Sequence, residues 1–502
     1  MTNVFICFIV ACVSSVFAAG VETAKILASV DADPPETTTK DEPVAANITL
    51  NKKDTGFRGI WYQIRYTGDA GKYVYKYSGG LGTYCTRHTP LAVYRPEVDK
   101  TFFCYGGTSP TSNFQLWHMV AEFDHQTGQV SMPTLLLDKK TNNAHDNPTM
   151  SVDADGHIWI FSTSHGTRRP SYIHKSKRPY NIDAFELIPS TKIDENDNVV
   201  PFTNFSYFQP WSDGATGFSA FLTIYRDPVH RTIQFMRTTD GVNWSKPQRI
   251  SIAGRGAYQI SAQHGKKLVS AFNYHPTGEK EQGKIDVDWR TNLYMVQTLD
   301  NGQTWQAVDG TPVTLPMTDD DYLTTPMLVR NYMTPSWRNV YLTDVNFDED
   351  GNPIVMYVTT YGATPGPDGG PRHIELARWD GTQWLFSVIA DCDHAFDGGS
   401  IYVEADGTWR VIAALGPNAP QPYGTGGEVS QFVSEDRGAT WTKLMDMTAN
   451  SPYNHSHVRR PVNAKEDFYA FWADGHSRQP SESNLYYADK AGNVTQLPRG
   501  NE

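Results

Sequence analysis

From about residue 84 onward the chain alternates short apolar runs with clusters of Gly, Asp and Asn. The runs are dense in β-branched and aromatic residues. Examples are 218–225 (Phe-Ser-Ala-Phe-Leu-Thr-Ile-Tyr), 354–359 and 409–414. Sustained helical spacing of apolar residues is absent, so these runs read as strands. Turns of one kind join them in pairs: Asp153-Ala154-Asp155-Gly156, Glu349-Asp350-Gly351-Asn352, Ala405-Asp406-Gly407. The unit is strand, turn, strand, insert, third strand. It recurs seven times at a period of roughly fifty to sixty residues, starting near 84, 145, 207, 258, 338, 394 and 455.

Several copies close on a Ser/Thr-x-Asp-x-Gly-x-Thr-Trp box. Ser434–Trp441 and Thr298–Trp305 are full versions, 238–244 is one residue shorter, and 379–384 is a worn fourth. A period of this length built from short strands predicts an all-β, seven-bladed β-propeller with Asp-box (BNR-like) repeats. In the box, Asp and Gly shape a tight turn and Thr and Trp pin it to the blade. Such boxes specify fold and carry no chemistry. Segment 56–62 is placed to add a strand that closes the ring with the last blade, since closure removes exposed sheet edges.

Composition adds compartment and partner class. Thirteen Trp and 26 Tyr suit a sheet protein, and a net charge of -12 argues for solubility and against nucleic acid as a partner. A local basic groove on such a protein still admits an anionic sugar. Residues 4–18 are apolar and end in small residues, as in a signal peptide cut near Ala18 or Ala19, although no Lys or Arg precedes the core. The expected organisation is a signal peptide at 1–19, a flexible leader at 20–50 and a propeller at 51–502, giving a secreted or periplasmic monomer with no membrane span. Cys85 and Cys104 lie where they pair across the first blade or stay as separate thiols; no local zinc-type spacing exists.

In a four-stranded blade the start of the first strand and the end of the second share one face of the ring. Polar residues at those places are His145 and His165 in blade two, Tyr207 and Arg226 in blade three, and Tyr258 and His275 in blade four. Later blades add Arg338, His394, His457, Arg459 and His476. Singly, each reads as a capped or half-buried wall residue, and Arg226 as the partner of Asp227 or Asp213. Together they suit β-elimination on a uronic acid. A guanidinium neutralises the carboxylate and so stabilises the enolate-like transition state. A neutral His removes the C5 proton, and a Tyr protonates the departing O4, or the two roles are exchanged.

The chain resembles the propeller lyases of polysaccharide lyase family 25, which cleave ulvan, and more distantly those of family 24. The phrases that carry the resemblance include His145-Asp-Asn-Pro, Ser164-His165-Gly, Tyr207-Phe-Gln-Pro-Trp211, Tyr274-His275-Pro, Arg290-Thr-Asn-Leu-Tyr294, Arg338-Asn-Val-Tyr341, Gln421-Pro-Tyr423, Val458-Arg-Arg-Pro461 and Phe471-Trp-Ala-Asp-Gly-His476. The resemblance implies catalytic His145, Tyr207 and Arg226, with Arg231 as the competing carboxylate ligand, and His165 and Tyr258 lining the substrate. It implies a sulfated uronate polysaccharide as partner, bound also by Arg168, Arg169, Arg290 and Arg338. It implies a structural zinc on His275, Cys392 and His394, with no cofactor needed for catalysis. A sialidase-like glycoside hydrolase and a non-catalytic sugar-binding propeller are the alternatives. The first needs a Tyr nucleophile beside a Glu; the second tolerates loss of His145 or Arg226.

Overall fold

Turn residues between apolar runs make each segment fold back on the one before, so every blade is an antiparallel meander. Blade two is typical: Pro148–Val152, Ile158–Ser162, Tyr172–Ser176 and Phe185–Ile188, paired in that order. In this computed structural model the described residues are 48–500, apart from 66–72, 74, 83–87, 114, 167–168, 216, 226–230, 279–283, 285–287 and 417. The signal segment, leader residues 20–47, Cys85, Arg168 and Arg226 therefore lie outside the described residues.

Seven sheets of four or more strands follow one another along the chain as the blades of a β-propeller. Their first strands are Ala92–Arg95, Pro148–Val152, Ser206–Ser212, Gln259–His264, Asn339–Phe347, Gly398–Val403 and Asn454–Arg459. Inner strands are buried on both faces, as along Pro353–Thr360 and Trp409–Leu415. That explains their unbroken apolar runs. The outermost strand of blade six, Thr442–Asp446, is exposed throughout and reads Thr-Lys-Leu-Met-Asp. Blade three also carries a hairpin, Thr191–Ile193 with Val199–Pro201, and blade one gains Lys52–Lys53 on its outer edge.

The Asp boxes do what their composition implies. Asp436 Oδ1 accepts from the Ser434 hydroxyl at 2.8 Å and the Thr440 N–H at 2.8 Å, while Oδ2 accepts from the Thr440 hydroxyl at 2.6 Å. The same bonds recur at Asp300, and in the shorter box the Asn243 side-chain amide takes the place of the second Thr hydroxyl at Asp240 Oδ2. Gly241, at φ 72°, lies so close to the Trp159 indole that a Cβ there would stand 2.3 Å from the ring. Only glycine fits. The boxes follow third strands, so they lie at the face of the ring opposite the starts of the first strands.

Ring closure departs from the expectation. Blade seven is built entirely from Asn454–Arg459, Ala470–Gly475, Leu485–Ala488 and Val494–Gln496. Segment 56–60 adds no strand to it. It clasps the two ends instead: Phe57 N–H donates to Pro498, Gly59 N–H to Ser483 and Ile60 N–H to Gly106 of blade one. Arg58 strengthens the clasp, paired with Asp54 and donating to the Arg499 carbonyl at 2.6 Å. Cys104 is a buried free thiol.

Candidate functional site

The site is assembled at the face where first strands begin. A single 3-10 turn, Ala144–Asp146, leads into blade two. Asn143 caps it: its Oδ1 accepts the His145 backbone N–H at 3.0 Å, as Asn commonly does at a helix start. That bond fixes which end of the amide is oxygen. The same Oδ1 lies 2.6 Å from His145 Nδ1, so Nδ1 carries the proton and Nε2 the lone pair. The amide nitrogen donates to His165 Nδ1 at 3.3 Å, which puts the His165 proton on Nε2. One amide thus sets two imidazoles in opposite tautomers. The rings are stacked, with centroids 4.1 Å apart at 15°.

Tyr207 approaches from blade three. It sits in a β-bulge between Ser206 and Gln209, at φ 48°, and is fully buried. Its ring meets His145 at 6.1 Å, His88 at 5.6 Å and Tyr258 at 5.8 Å. Tyr258, at the entrance to blade four, packs edge-on against His275 at 4.7 Å. Arg231 ties this pair down. One terminal nitrogen donates to the Tyr258 hydroxyl, the other to His275 Nδ1 at 2.9 Å. The structure therefore brings His145, His165, Tyr207, Tyr258 and His275 to one mouth.

A buried charge cluster lies beneath. Asp146 is fully buried and accepts Arg169 Nε at 2.7 Å, Arg169 Nη2 at 3.0 Å and the His165 N–H at 2.7 Å, with Lys139 Nζ 3.6 Å away. Burial pushes the Asp146 carboxyl up, but Lys139, Arg169 and that N–H outweigh it and hold it below the usual range. Burial lowers Lys139 to about 8, with Asp146 pulling the other way. Two further rings reach His145 from outside the blade repeat. Tyr62 stands 5.7 Å from it, its phenol held protonated by burial and by Asp146. His88 Nε2 lies 2.9 Å from the His145 carbonyl.

Several expectations need correction. Arg290 is not a rim residue. It is 1% exposed, and its guanidinium lies 4.8 Å from the Tyr258 centroid and 4.6 Å from that of Tyr341, near Asp288. Its role is internal support. Among the described residues no group of three His, Cys, Asp or Glu is arranged to hold a metal. His275 Nδ1 already takes a bond from Arg231, and His394 Nδ1 takes one from the Phe396 N–H at 3.1 Å. Burial first, then Asp397, raises the Cys392 thiol well above its ordinary range, which disfavours the thiolate that zinc needs. His275, Cys392 and His394 do not fit zinc, and no step is drawn through it. A polar cavity of about 210 Å³ lies between Trp211, His264, Asp344 and Arg459, where first strands end. None of its lining residues belongs to the His and Tyr cluster of the site.

Asn143, Tyr62, His88 and Asp146 escaped the reading by blade position. Asn143 and Asp146 had a local signal, an Asn two residues before a His at a predicted element start. Tyr62 and His88 had none, since they precede the first strand of the repeat.

Fold and site together define a seven-bladed propeller with a His- and Tyr-lined mouth. The family model described as "BNR repeat-containing family member" matches residues 115–391, and the chain belongs to that family. It is 28% identical over 286 residues to an ulvan lyase of Nonlabens ulvanivorans, covering 50% of this chain and 56% of that one. It is 24% identical over 307 residues to the PL25 ulvan lyase of Pseudoalteromonas sp. (strain PLSV), covering 53% and 58%. The chain thus spans little more than half the length of these relatives. The solved structure of a PL25 ulvan lyase bound to -[GlcA(1-4)Rha3S]- is similar in fold, with TM-score 0.64 at 16% identity over 88% of this chain and 96% of that one. The polysaccharide lyase Uly1 gives TM-score 0.56 at 11% identity over 89% and 99%.

Proposed function

We propose that this chain is an exported lyase that cleaves ulvan by β-elimination. The observation that carries the reading is a pair of rings in edge-to-face contact where first strands begin: His145, whose Nε2 bears the lone pair, and Tyr207, with centroids 6.1 Å apart. Likeness in sequence to two ulvan lyases supports the substrate, and the apolar segment 4–18 supports export.

In the reaction, His145 Nε2 takes the C5 proton of the uronate. The C5–H electron pair becomes the C4–C5 double bond as the C4–O4 bond breaks. The Tyr207 hydroxyl gives its proton to the departing O4, and proton exchange with solvent restores both groups. Arg226 neutralises the carboxylate, so that charge developing on it in the transition state is met by a group that stays cationic. Arg231 is the weaker choice for that task, because both terminal nitrogens already donate to Tyr258 and His275. His165 and Tyr258 orient the sugar. Metal is not part of this scheme.

The hydrolase alternative needs a Tyr and a Glu facing one sugar. Such pairs exist, Tyr332 with Glu375 and Tyr469 with Glu404, each with oxygens 3.0 Å apart, but all four side chains are buried. They are structural networks. Ultraviolet absorbance of ulvan incubated with the protein tests the proposal. Absorbance from a new C4–C5 double bond is expected, and is lost in Arg226→Ala and His145→Ala. New reducing ends without that absorbance would refute β-elimination.

A further inference from the structure

The loops between second and third strands, and those leading into first strands, open on the same face as His145 and Tyr207. Where blades four and five adjoin, three such loops carry an unusual set of side chains. Trp289 stands two residues before the third strand of blade four, Thr291–Thr298. Trp337 and Arg338 immediately precede the first strand of blade five, Asn339–Phe347. Tyr361 follows that blade's second strand, Pro353–Thr360.

The two indoles form a corner, centroids 6.2 Å apart at 77°. Both are half-buried, so neither is closed off from solvent. Lys284 Nζ sits in the corner, 5.4 Å from the Trp289 ring and 4.9 Å from the Trp337 ring. Trp337 is held in place by its Nε1–H, which donates to Asn339 Oδ1 at 2.9 Å. Arg338, the next residue, is held by partners of its own. Its Nη2 donates to the Tyr361 hydroxyl at 2.7 Å, its guanidinium lies 4.5 Å from the Tyr361 centroid, and Glu375 anchors Nη1 at 3.4 Å. Glu375 is itself fixed by Thr359 at 2.6 Å and by Tyr332.

A lone surface cation over an indole is ordinary packing. Here three aromatic rings and two cations, on neighbouring loops of two adjoining blades, lie on the face where the proposed chemistry lies. They are also connected to the mouth. Trp289 is next in sequence to Arg290, whose guanidinium packs on Tyr258. An indole face is apolar with a polar edge, and it matches the C–H face of a pyranose. A cation at the edge of that face matches a sulfate or carboxylate.

We infer that Trp289, Trp337, Lys284, Arg338 and Tyr361 form a distal subsite for one anionic sugar unit of the polymer, outside the pair of units that flank the cleaved bond. This rests on the reading of the protein as acting on a sulfated uronate chain. The subsite raises affinity for long chains and leaves the chemical step alone, because binding that is equal in ground and transition states lowers KM without changing kcat.

The test uses Trp289→Ala/Trp337→Ala and, separately, Lys284→Gln. Each full-length protein is run in native gels containing ulvan or a neutral glucan, and its kinetics are measured on long ulvan and on the shortest oligosaccharide it cleaves. On long ulvan the double variant is expected to raise KM about tenfold with kcat within about twofold. It should leave the short substrate unchanged and lose ulvan-specific retardation. Lys284→Gln, which removes the charge and keeps most of the side chain, should weaken retardation in a salt-dependent way. Unchanged retardation and KM in both variants overturns the subsite. So does an equal rise in KM on the short substrate, which would put the indoles beside the cleaved bond. If the wild type makes no unsaturated product, the lyase reading fails, yet the gels still decide the subsite: retardation lost in the variants sustains it, and a wild type that ulvan never retards overturns it.

Discussion

Asn143 offers the sharpest test of the site, because one side chain sets the state of both stacked imidazoles. In Asn143→Ala the cap of the 3-10 turn is lost, at a cost of about 1 kcal/mol. The His145 Nδ1–H loses its acceptor in a buried setting, which costs ~1–3 kcal/mol more. His145 is then free to place its proton on Nε2, the atom that accepts the C5 proton in the proposed reaction. We expect kcat on ulvan to fall about 100-fold, equivalent to ~2.7 kcal/mol of lost transition-state stabilisation, with KM within a few-fold. Asn143→Asp separates this from simple loss of structure. Aspartate caps as well as asparagine and still accepts both the His145 N–H and Nδ1–H. It cannot donate to His165 Nδ1, and its charge favours protonated His145. The acidic limb of the kcat/KM profile should therefore move up by about one to two pH units, while the melting temperature changes little. The assay is the initial rate of ultraviolet absorbance between pH 5 and 9, with thermal melts of each variant. Asn143→Ala within twofold of wild type, or Asn143→Asp with an unmoved acidic limb, would refute the assignment of His145 Nε2 as the base.

Three further outcomes follow from the geometry. Tyr207→Phe keeps the buried ring and removes only the hydroxyl; kcat should fall about 100- to 1,000-fold with the melting temperature unchanged, as rate assays and calorimetry would show. Arg231→Lys cannot reach Tyr258 and His275 together, so kcat should drop about tenfold with KM nearly constant, whereas Arg226→Ala should lose activity almost completely in the same steady-state assay. In the Asp box of blade six, the Thr440 hydroxyl and N–H, with Ser434, hold the Asp436 carboxyl at about 2, below its ordinary 3.8. A depressed carboxyl stabilises the fold above its unfolded value, and the gain is lost as pH falls through the folded one. Wild type should thus exceed Asp436→Asn by up to about 1 kcal/mol above pH ~4, discounted for exposure, and the gap should close towards pH 2 in thermal melts.

The blades were legible because they are periodic. The run at 218–225 became the strand Phe218–Tyr225, and the run at 409–414 became Trp409–Leu415, one residue longer. Blade one was misplaced near 84 for a physical reason. Its first strand, Ala92–Arg95, is four residues long with Pro90 and Pro96 close on either side, so it shows little alternation. Position in the repeat found His145, His165, Tyr207 and Tyr258, since equivalent ends of equivalent strands converge on one mouth. It misjudged Arg290, because nothing in Trp289-Arg290 says which of two adjacent side chains turns inward onto Tyr258. It missed Tyr62 and His88 because a ring brings its N-terminal segment back against blades that are distant in sequence.

The bulge at Tyr207 was the least legible feature, and it matters most to the site. A tyrosine at φ 48° is strained by about 1–3 kcal/mol, and no Gly or Asn in Ser206-Tyr207-Phe208-Gln209 announces the turn. Blade seven repeats the device. His457 has φ 53° in a register shift between Ser456 and Arg459, again one residue after a Ser in a first strand. Two blades thus accept the same strain at the same place, and in each the strained residue is one with acid–base chemistry. Strain alone does not explain why both are titratable, since Gly or Asn would relieve it. Reach does. A bulge puts two residues opposite one on the neighbouring strand and re-aims the extra side chain. In blade three that side chain ends within ring contact of His88, His145 and Tyr258 at once. An unbulged strand would alternate Ser206 and Tyr207 to opposite faces of the blade, into the packing between blades and away from the axis. The backbone strain at Tyr207 is therefore best understood as the cost of turning a blade residue towards the channel, where the proposed chemistry needs it.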